Sequence, residues 1–544
     1  MVIQTERVNI DYDLQQLKGI QRKSQILSLQ IEDKSEEGIN TIWENQEQCG
    51  KEINELFNNR KIISILVYGK TQTGKTGCMT ALIQHHVLSN NIPIENIYII
   101  TGLSDTAWKK DTKSRMPDSI NNRVFHRAQL LKLASEIRTK TNLLIIIDEI
   151  QIACAKDQTI YKTFDKCGFY DLEFLLAKDI KLVQFSATPD GHINDISDWK
   201  EHSGKLKLNP GEGYTGTKEL KEQGRIKPFK DLTSIANVEQ LVSDVNNFDP
   251  VFYKEGDNLK QCYSRYHTIR IPNSRNGHDK IVIDNFKSVF GDTCEYNTEY
   301  LQSKKDDINK ILKKPPLRHT FIFIKEILRC AKTKYKLFIG VEYERWTTVS
   351  DSSIIQGSVG RLTGYDDNTD SICYTNLDTI DNYEKLWENN FEFKEGIIWN
   401  TNTTLYDDNE KKTYSKGTFN STKNIKGLES NSSKKEKYVR PDPKIKKFDG
   451  EAGQEGMIGW FNDNLKGMMP KGKRGPRRKI KIKGELFYRA TIRKKYPGEI
   501  LHCSIIEKEK KWGFGKDPGI RSYPCYSDVT DPDTLQWWLI YYEK

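Results

Sequence analysis

Four apolar runs punctuate the first part of the chain: IISILVYG at 62–69, IENIYIITG at 94–102, NLLIIIDE at 142–149 and KLVQFSATP at 181–189. Each is dense in Ile, Leu and Val, ends in a polar or glycine-bearing loop, and is separated from the next by helix-like patterns. Continuous apolar strands of this kind are buried on both faces, which predicts a parallel sheet covered by helices. In such sheets ligands sit beyond the carboxyl ends of the strands, where the conspicuous polar residues of these runs fall. A second α/β block begins near Tyr266 with YHTIRIP and continues through KIVIDNF, HTFIFIKEIL and KLFIGVEYE to SIIQGSVGRLTGY and SICYTNL. Asn, Ser, Thr, Lys and Asp then take over, with little to bury, and predict a flexible linker. The expected organisation is an N-terminal extension at 1–40, an α/β domain at 41–230, a connector at 231–261 and a second α/β domain at 262–395. The linker follows at 396–450, and a basic, aromatic module at 451–544, α+β or β-rich, ends the chain.

Lys and Arg outnumber Asp and Glu by 85 to 75, giving a formal charge of +10. That balance favours a polyanionic partner, most simply nucleic acid, although a merely soluble basic protein would carry it too. None of the ten cysteines forms a CxxC pair. Neither a zinc ribbon nor a thioredoxin-like motif is signalled, and free thiols in a reducing compartment are expected. No run approaches the roughly 20 apolar residues of a membrane span. The N-terminus lacks a signal-peptide pattern. The expectation is an intracellular soluble protein, cytoplasmic or nuclear, without membrane contact.

Gly69, Lys70, Thr71, Gln72, Thr73, Gly74, Lys75 and Thr76 complete a GxxxxGK[ST] pattern between an apolar strand and the helix-like TGCMTALIQHHVL. Backbone N–H groups of such a loop and the helix N-terminus face the phosphates of a nucleoside triphosphate. Lys75 would neutralise the β and γ groups, and Thr76 would offer a hydroxyl to Mg²⁺. A fortuitous glycine-rich turn is the alternative, and the strand–loop–helix context weighs against it. Asp148 and Glu149 end the most apolar run. Asp148 would hold Mg²⁺, usually through water, and Glu149 would orient and deprotonate the attacking water. An acidic helix N-terminus is the bland alternative.

The DEIQ, FSATP and QGSVGRLTGY stretches, taken with the phosphate loop, make roughly residues 40–390 resemble the superfamily 2 helicases and translocases, of the DEAD-like and type III restriction-subunit-like kind. The variants ITGLSDTAW and GRLTGY resemble helicase-like proteins of large DNA viruses and phages. The resemblance implies an α/β fold of two tandem RecA-like domains, with ATP and Mg²⁺ between them and nucleic acid crossing both. Gln151 and the stretch Ser186-Ala187-Thr188 would then link the phosphate site to the nucleic-acid surface. The segment Tyr98 to Trp108 falls where the family has its first strand-contacting motif. Arg361 would be the arginine finger reaching the γ-phosphate from the opposite domain. The family pattern is QxxGRxxR, but here Gln356 stands one residue early and Gly364 occupies the second arginine position. Arg361 therefore acts alone or shares the role with Arg329, unless it is a surface salt bridge. Many family members read the adenine edge with a glutamine upstream of the loop, a role open to Gln46 or Gln48, which a plain polar helix face would explain equally.

Eight Lys or Arg lie between Lys471 and Lys483. They favour phosphate contact, with a localisation signal or solvated tail as the alternative. Phe487, Tyr488, Trp512 and Phe514 could stack on unpaired bases. Trp537 and Trp538 better suit a small core or a protein contact. The reading is an ATP-dependent helicase or translocase, with DNA favoured over RNA and protein partners through the C-terminal module. A second reading is an ATP-gated DNA-binding or remodelling subunit that works with a separate nuclease. A P-loop kinase or GTPase should lack the second α/β block, and no NKxD-type guanine motif occurs.

Overall fold

The computed structural model describes residues 19, 21–89, 92–104, 106–153, 158–189, 192–272, 277–301, 307–325, 333–347, 350–366, 370–392, 396–400, 404–407, 412–415, 425–428, 444–464, 479–490, 499–508 and 520–541. Strands β1 (Ser64–Gly69), β2 (Ile97–Thr101), β3 (Val124–Phe125), β4 (Leu143–Asp148), β5 (Ile180–Ser186) and β6 (Ser203–Leu208) form one sheet. Its order is β3-β2-β4-β5-β1-β6 and every pairing is parallel. Because β2, β4, β5 and β1 are contiguous, Thr101, Asp148, Ser186 and Gly69 line up along adjacent carboxyl ends.

The second sheet takes β7 (Ile226–Pro228), β10 (Tyr266–Arg270), β11 (Glu295–Asn297), β12 (Thr320–Ile324), β13 (Ile339–Tyr343) and β14 (Ile372–Thr375). It is also parallel throughout, in the order β11-β12-β10-β13-β14-β7. An antiparallel hairpin, β8 (Val251–Glu255) and β9 (Asn258–Cys262), stands apart from it. The two sheets make tandem RecA-like α/β domains. Entry of β7 into the second sheet carries that domain upstream of the expected connector.

Helices α1 (Glu44–Phe57), α2 (Lys75–Leu88) and α3 (Thr106–Arg115) serve the first domain. The second uses α4 (His278–Phe290), α5 (Asp351–Ile355), α6 (Ser358–Leu362) and α7 (Leu377–Glu388). Alternate strand residues point to opposite faces. Ile65 and Val67 therefore pack with α1 and α2, whereas Leu66 and Tyr68 enter a second apolar layer. That second layer also holds Ile322, Ile339, Tyr383 and Trp387 of the second domain, so the two domains share one core. KIVIDNF lies on α4, where Val282, Phe286 and Phe290 recur every fourth residue and cover the outer face of the second sheet.

The polar segment expected to be a flexible linker contains residues packed into the core. Trp399 and Ile425 within it are buried in the apolar layer of the first unit, and the Lys426 backbone pairs with Tyr170 and Leu172. A few apolar residues can anchor a chain whose average composition is polar. The chain divides into compact units at Asn431/Ser432, and β15 (Thr404–Asp407) with β16 (Lys412–Ser415) falls in the first.

The second unit has an antiparallel sheet, β17 (Lys444–Asp449), β21 (Leu535–Tyr541) and β20 (Ile520–Tyr526), in the order β17-β21-β20. It also has helix α8 (Gly453–Asn464) and the hairpin β18 (Lys479–Ile482) and β19 (Glu485–Tyr488). Trp537 and Trp538 are buried in its core. Phe487 is buried there too, which removes it from the residues free to stack on bases. Trp512, Phe514 and the basic run from Lys471 to Arg478 lie outside the described residues, while Lys479, Lys481 and Lys483 are exposed. If the chain is the nucleic-acid-dependent ATPase that its sequence leads one to expect, truncation after Asn431 should leave unstimulated turnover largely intact and flatten the salt dependence of nucleic-acid binding. An unchanged salt slope in a binding titration would return this unit to a targeting or assembly role.

Candidate active site

The glycine-rich loop leaves β1 at Gly69 and enters α2 at Lys75. Gly74 has φ +85, a left-handed conformation that a side chain disfavours. A Cβ there would also lie 2.0 Å from Gln46 Nε2. Gly77, on the first turn of α2, meets the same side chain, with Gln46 Oε1 1.9 Å from where its Cβ would be. Gln46 is thus packed against the loop-to-helix turn, and its Oε1 also accepts from the Trp43 backbone N–H at 3.2 Å. Gln48 points elsewhere, donating to Glu52 at 2.9 Å on the exposed face of α1.

Within the loop, Lys75 Nζ donates to the Gly69 and Lys70 carbonyls at 3.3 and 3.0 Å. The Thr73 hydroxyl closes the turn on Lys70 O at 2.9 Å. Burial holds the Lys75 ammonium below its usual pKa, and Glu149 and Asp148 oppose that shift. Lys70 does not face this cluster. Its Nζ pairs with Glu384 of α7 at 2.6 Å, so its side chain ties the loop to the second domain. Thr76 is the second residue of α2, at the helix end that opens toward the loop.

Asp148 is buried at the end of β4. Trp108 Nε1 donates to its Oδ2 at 2.9 Å, and the Glu149 N–H donates to its Oδ1 at 3.1 Å. Burial, then the neighbouring Glu149, pushes the Asp148 carboxyl up to about 7, against the pull of Trp108 and Lys75. Asp148 and Glu149 are both buried and close enough to Lys75 to act on its charge, so carboxylate oxygens for a hard cation and a cation for phosphate oxygens stand together. Glu149 has φ +52, a strained conformation that turns its side chain away from the strand.

Its carboxylate is held from both domains. Gln151 Nε2 and Gln356 Nε2 both donate to Glu149 Oε2, the latter at 3.0 Å. Gln356 also accepts from Gln151 at 3.1 Å and donates to the Thr188 hydroxyl at 2.9 Å. The Ser186 hydroxyl donates to Gln151 Oε1 at 2.8 Å, completing a net from β4 to β5. Gln356 was the residue that stood out of register in the sequence. The chain absorbs the extra residue by breaking between α5 and α6 at Gly357, which leaves the Gln356 side chain in the site.

Arg361 is buried on α6. Its Nη2 donates to Gln356 O at 2.9 Å, and it is close enough to Lys75 for its charge to lower the lysine's pKa. Arg329 lies outside the described residues. Around α6 the second domain grips the phosphate loop directly. Gln72 Nε2 donates to Gly360 O at 2.8 Å, and the Thr71 and Thr363 hydroxyls meet at 2.9 Å. Sequence reasoning missed these grips and the Trp108 contact, because none belongs to a recognisable spacing.

Gly364 explains the missing second arginine. It has φ +116, and its N–H and C=O pair with Thr215 at 2.9 Å each. A Cβ would lie 3.3 Å from that of Gln72. Gly364→Arg is therefore expected to destabilise the chain by about 1–3 kcal/mol rather than add a second finger. Thermal unfolding and turnover measured together check this, and enhanced turnover would contradict it.

No protein-family model matches the chain. An uncharacterised protein of Acanthamoeba polyphaga mimivirus is 27% identical over 359 residues, 60% of this chain and 81% of the relative. Among solved structures the chain is similar to the Escherichia coli DEAH/RHA helicase HrpB, at 15% identity and TM-score 0.37. That match covers 60% of this chain and spans 42% of HrpB. It is similar also to S. cerevisiae Dbp5 bound to RNA and ADP BeF3, at 13% identity and TM-score 0.36, covering 62% of this chain and 85% of Dbp5. The structural neighbours are superfamily 2 helicases.

Proposed function

We propose that this chain is a nucleic-acid-dependent ATPase of the helicase type, a helicase or translocase that couples Mg-ATP hydrolysis to movement along a strand. The observation that carries the reading is Gln356, a second-domain side chain hydrogen-bonded at once to Glu149 and Thr188 of the first. Such a site is complete only while the two domains are together, and that is what lets nucleotide chemistry drive domain motion.

In this reading the loop N–H groups from Gly69 to Thr76 cradle the phosphates and Lys75 neutralises the β and γ groups. Thr76 and Asp148 would hold Mg²⁺, which offsets charge on the phosphate oxygens. Glu149 takes the proton of the attacking water, oriented by the Gln151 and Gln356 amides. Arg361 meets the charge that develops on the γ-phosphate. Gln46, packed on Gly74, is the glutamine this reading gives to the adenine edge.

Nucleic acid is the proposed partner, DNA before RNA given the resemblance to helicase-like proteins of large DNA viruses, and the +10 charge supports it. Among the described residues no helix is long and apolar enough to cross a membrane. Steady-state ATPase assays with single-stranded DNA, duplex DNA and RNA as competing stimulators test the reading. Strong stimulation by one class is expected, and turnover indifferent to all three would overturn it.

A further inference from the structure

Arg270 ends β10 and Glu344 follows β13, and the two form a buried ion pair, Arg270 Nε donating to Glu344 Oε2 at 2.8 Å. Their side chains are 2% and 5% exposed. The same carboxylate oxygen accepts from the Ser358 N–H at 3.0 Å and the Ser358 hydroxyl at 3.2 Å. Arg270 Nη1 donates to the Lys325 carbonyl at 2.8 Å, just beyond β12. One guanidinium and one carboxylate thus tie the carboxyl ends of three neighbouring strands to the start of α6.

The turn they hold is the one that sets the register of the site. Gly357 lies so close that a Cβ would come 2.3 Å from Glu344 Oε2. On one side of this turn stands Gln356, which bonds Glu149, and on the other, one helical turn on, stands Arg361, which donates back to Gln356 O. An ion pair kept only for stability is replaceable by apolar groups at little cost. This one spends its remaining acceptor capacity on the backbone of a five-residue helix that could not hold its own orientation.

We infer that Glu344 and Arg270 are positioning residues for hydrolysis, orienting the 356–361 turn so that Arg361 meets the phosphate site. The inference rests on the reading of Arg361 as the finger. Glu344→Gln keeps the shape and one acceptor oxygen but loses the charge that draws Arg270 and Ser358 together. In the full-length chain its kcat should fall by roughly a hundredfold, the scale of a misplaced catalytic group. Binding of a fluorescent ATP analogue should stay within about twofold of the parent, because the cradle itself is untouched.

The decisive comparison is a double-mutant cycle with Arg361→Ala. If Glu344 acts through Arg361, adding Glu344→Gln to Arg361→Ala should cost less than about twofold further, whereas independent roles multiply. Arg270→Lys, which keeps the charge but loses the bond to Lys325, gives a milder form of the same test should Glu344→Gln fold poorly. It should lower kcat by roughly tenfold and again be silent beside Arg361→Ala. Losses that multiply in both cycles, or a normal kcat in both single variants while Arg361→Ala abolishes turnover, would overturn the inference alone. Normal turnover in Arg361→Ala itself would overturn the finger reading beneath it.

Discussion

Arg361→Ala is expected to leave ATP affinity nearly unchanged while turnover falls by roughly three orders of magnitude or more, the scale of a missing finger. The asymmetry follows from where the residue stands. The loop that binds the phosphates belongs to the first domain and makes its own internal bonds, from Lys75 and Thr73 to loop carbonyls. Arg361 arrives from the second domain on α6 and carries a charge felt at Lys75. With Gly364 committed to a left-handed backbone pairing, the family's second arginine position offers no substitute. Nucleic acid should still bind the variant but no longer accelerate hydrolysis. Single-turnover rates beside nucleotide titrations separate the two effects, and a parallel loss of affinity would place Arg361 in the cradle instead.

Glu149→Gln should also bind ATP yet stall, losing roughly two to four orders of magnitude in turnover as a general base does. Glutamine fills the same volume at φ +52 and can still accept from Gln151 and Gln356, so the two-domain net survives while the proton acceptor does not. The expected species is a closed, nucleotide-loaded complex that releases nucleic acid slowly. Normal turnover in this variant would assign the base elsewhere.

The parts of the fold legible in the sequence are those written in continuous apolar runs. The strands carrying Gly69, Thr101, Asp148 and Ser186 are each fully buried, and burial on both faces leaves little choice of residue. Strands of two or three residues, such as β3 and β7, carry too short a pattern to read. The KIVIDNF stretch reads as apolar in either period, and only packing of Val282 and Phe286 onto the second sheet makes it helical. The phosphate loop was legible because its chemistry demands a contiguous spacing. Gln356 was legible only as an anomaly, since its place depends on a turn at Gly357 made tight by Glu344, thirteen residues back in the sequence. Trp108 on Asp148 and Lys70 on Glu384 are pairings between distant segments, which no local pattern encodes.

Nucleotide and nucleic acid must influence each other through the domain cleft if this chain is a motor, and that linkage can be measured directly. The dissociation constants of a labelled single strand should be determined with no nucleotide, with ADP and with a non-hydrolysable ATP analogue, and the nucleotide constants with and without the strand. The account predicts a change of roughly fivefold or more between nucleotide states, matched by an equal reciprocal change in nucleotide affinity. Identical strand affinities in all three states would contradict it.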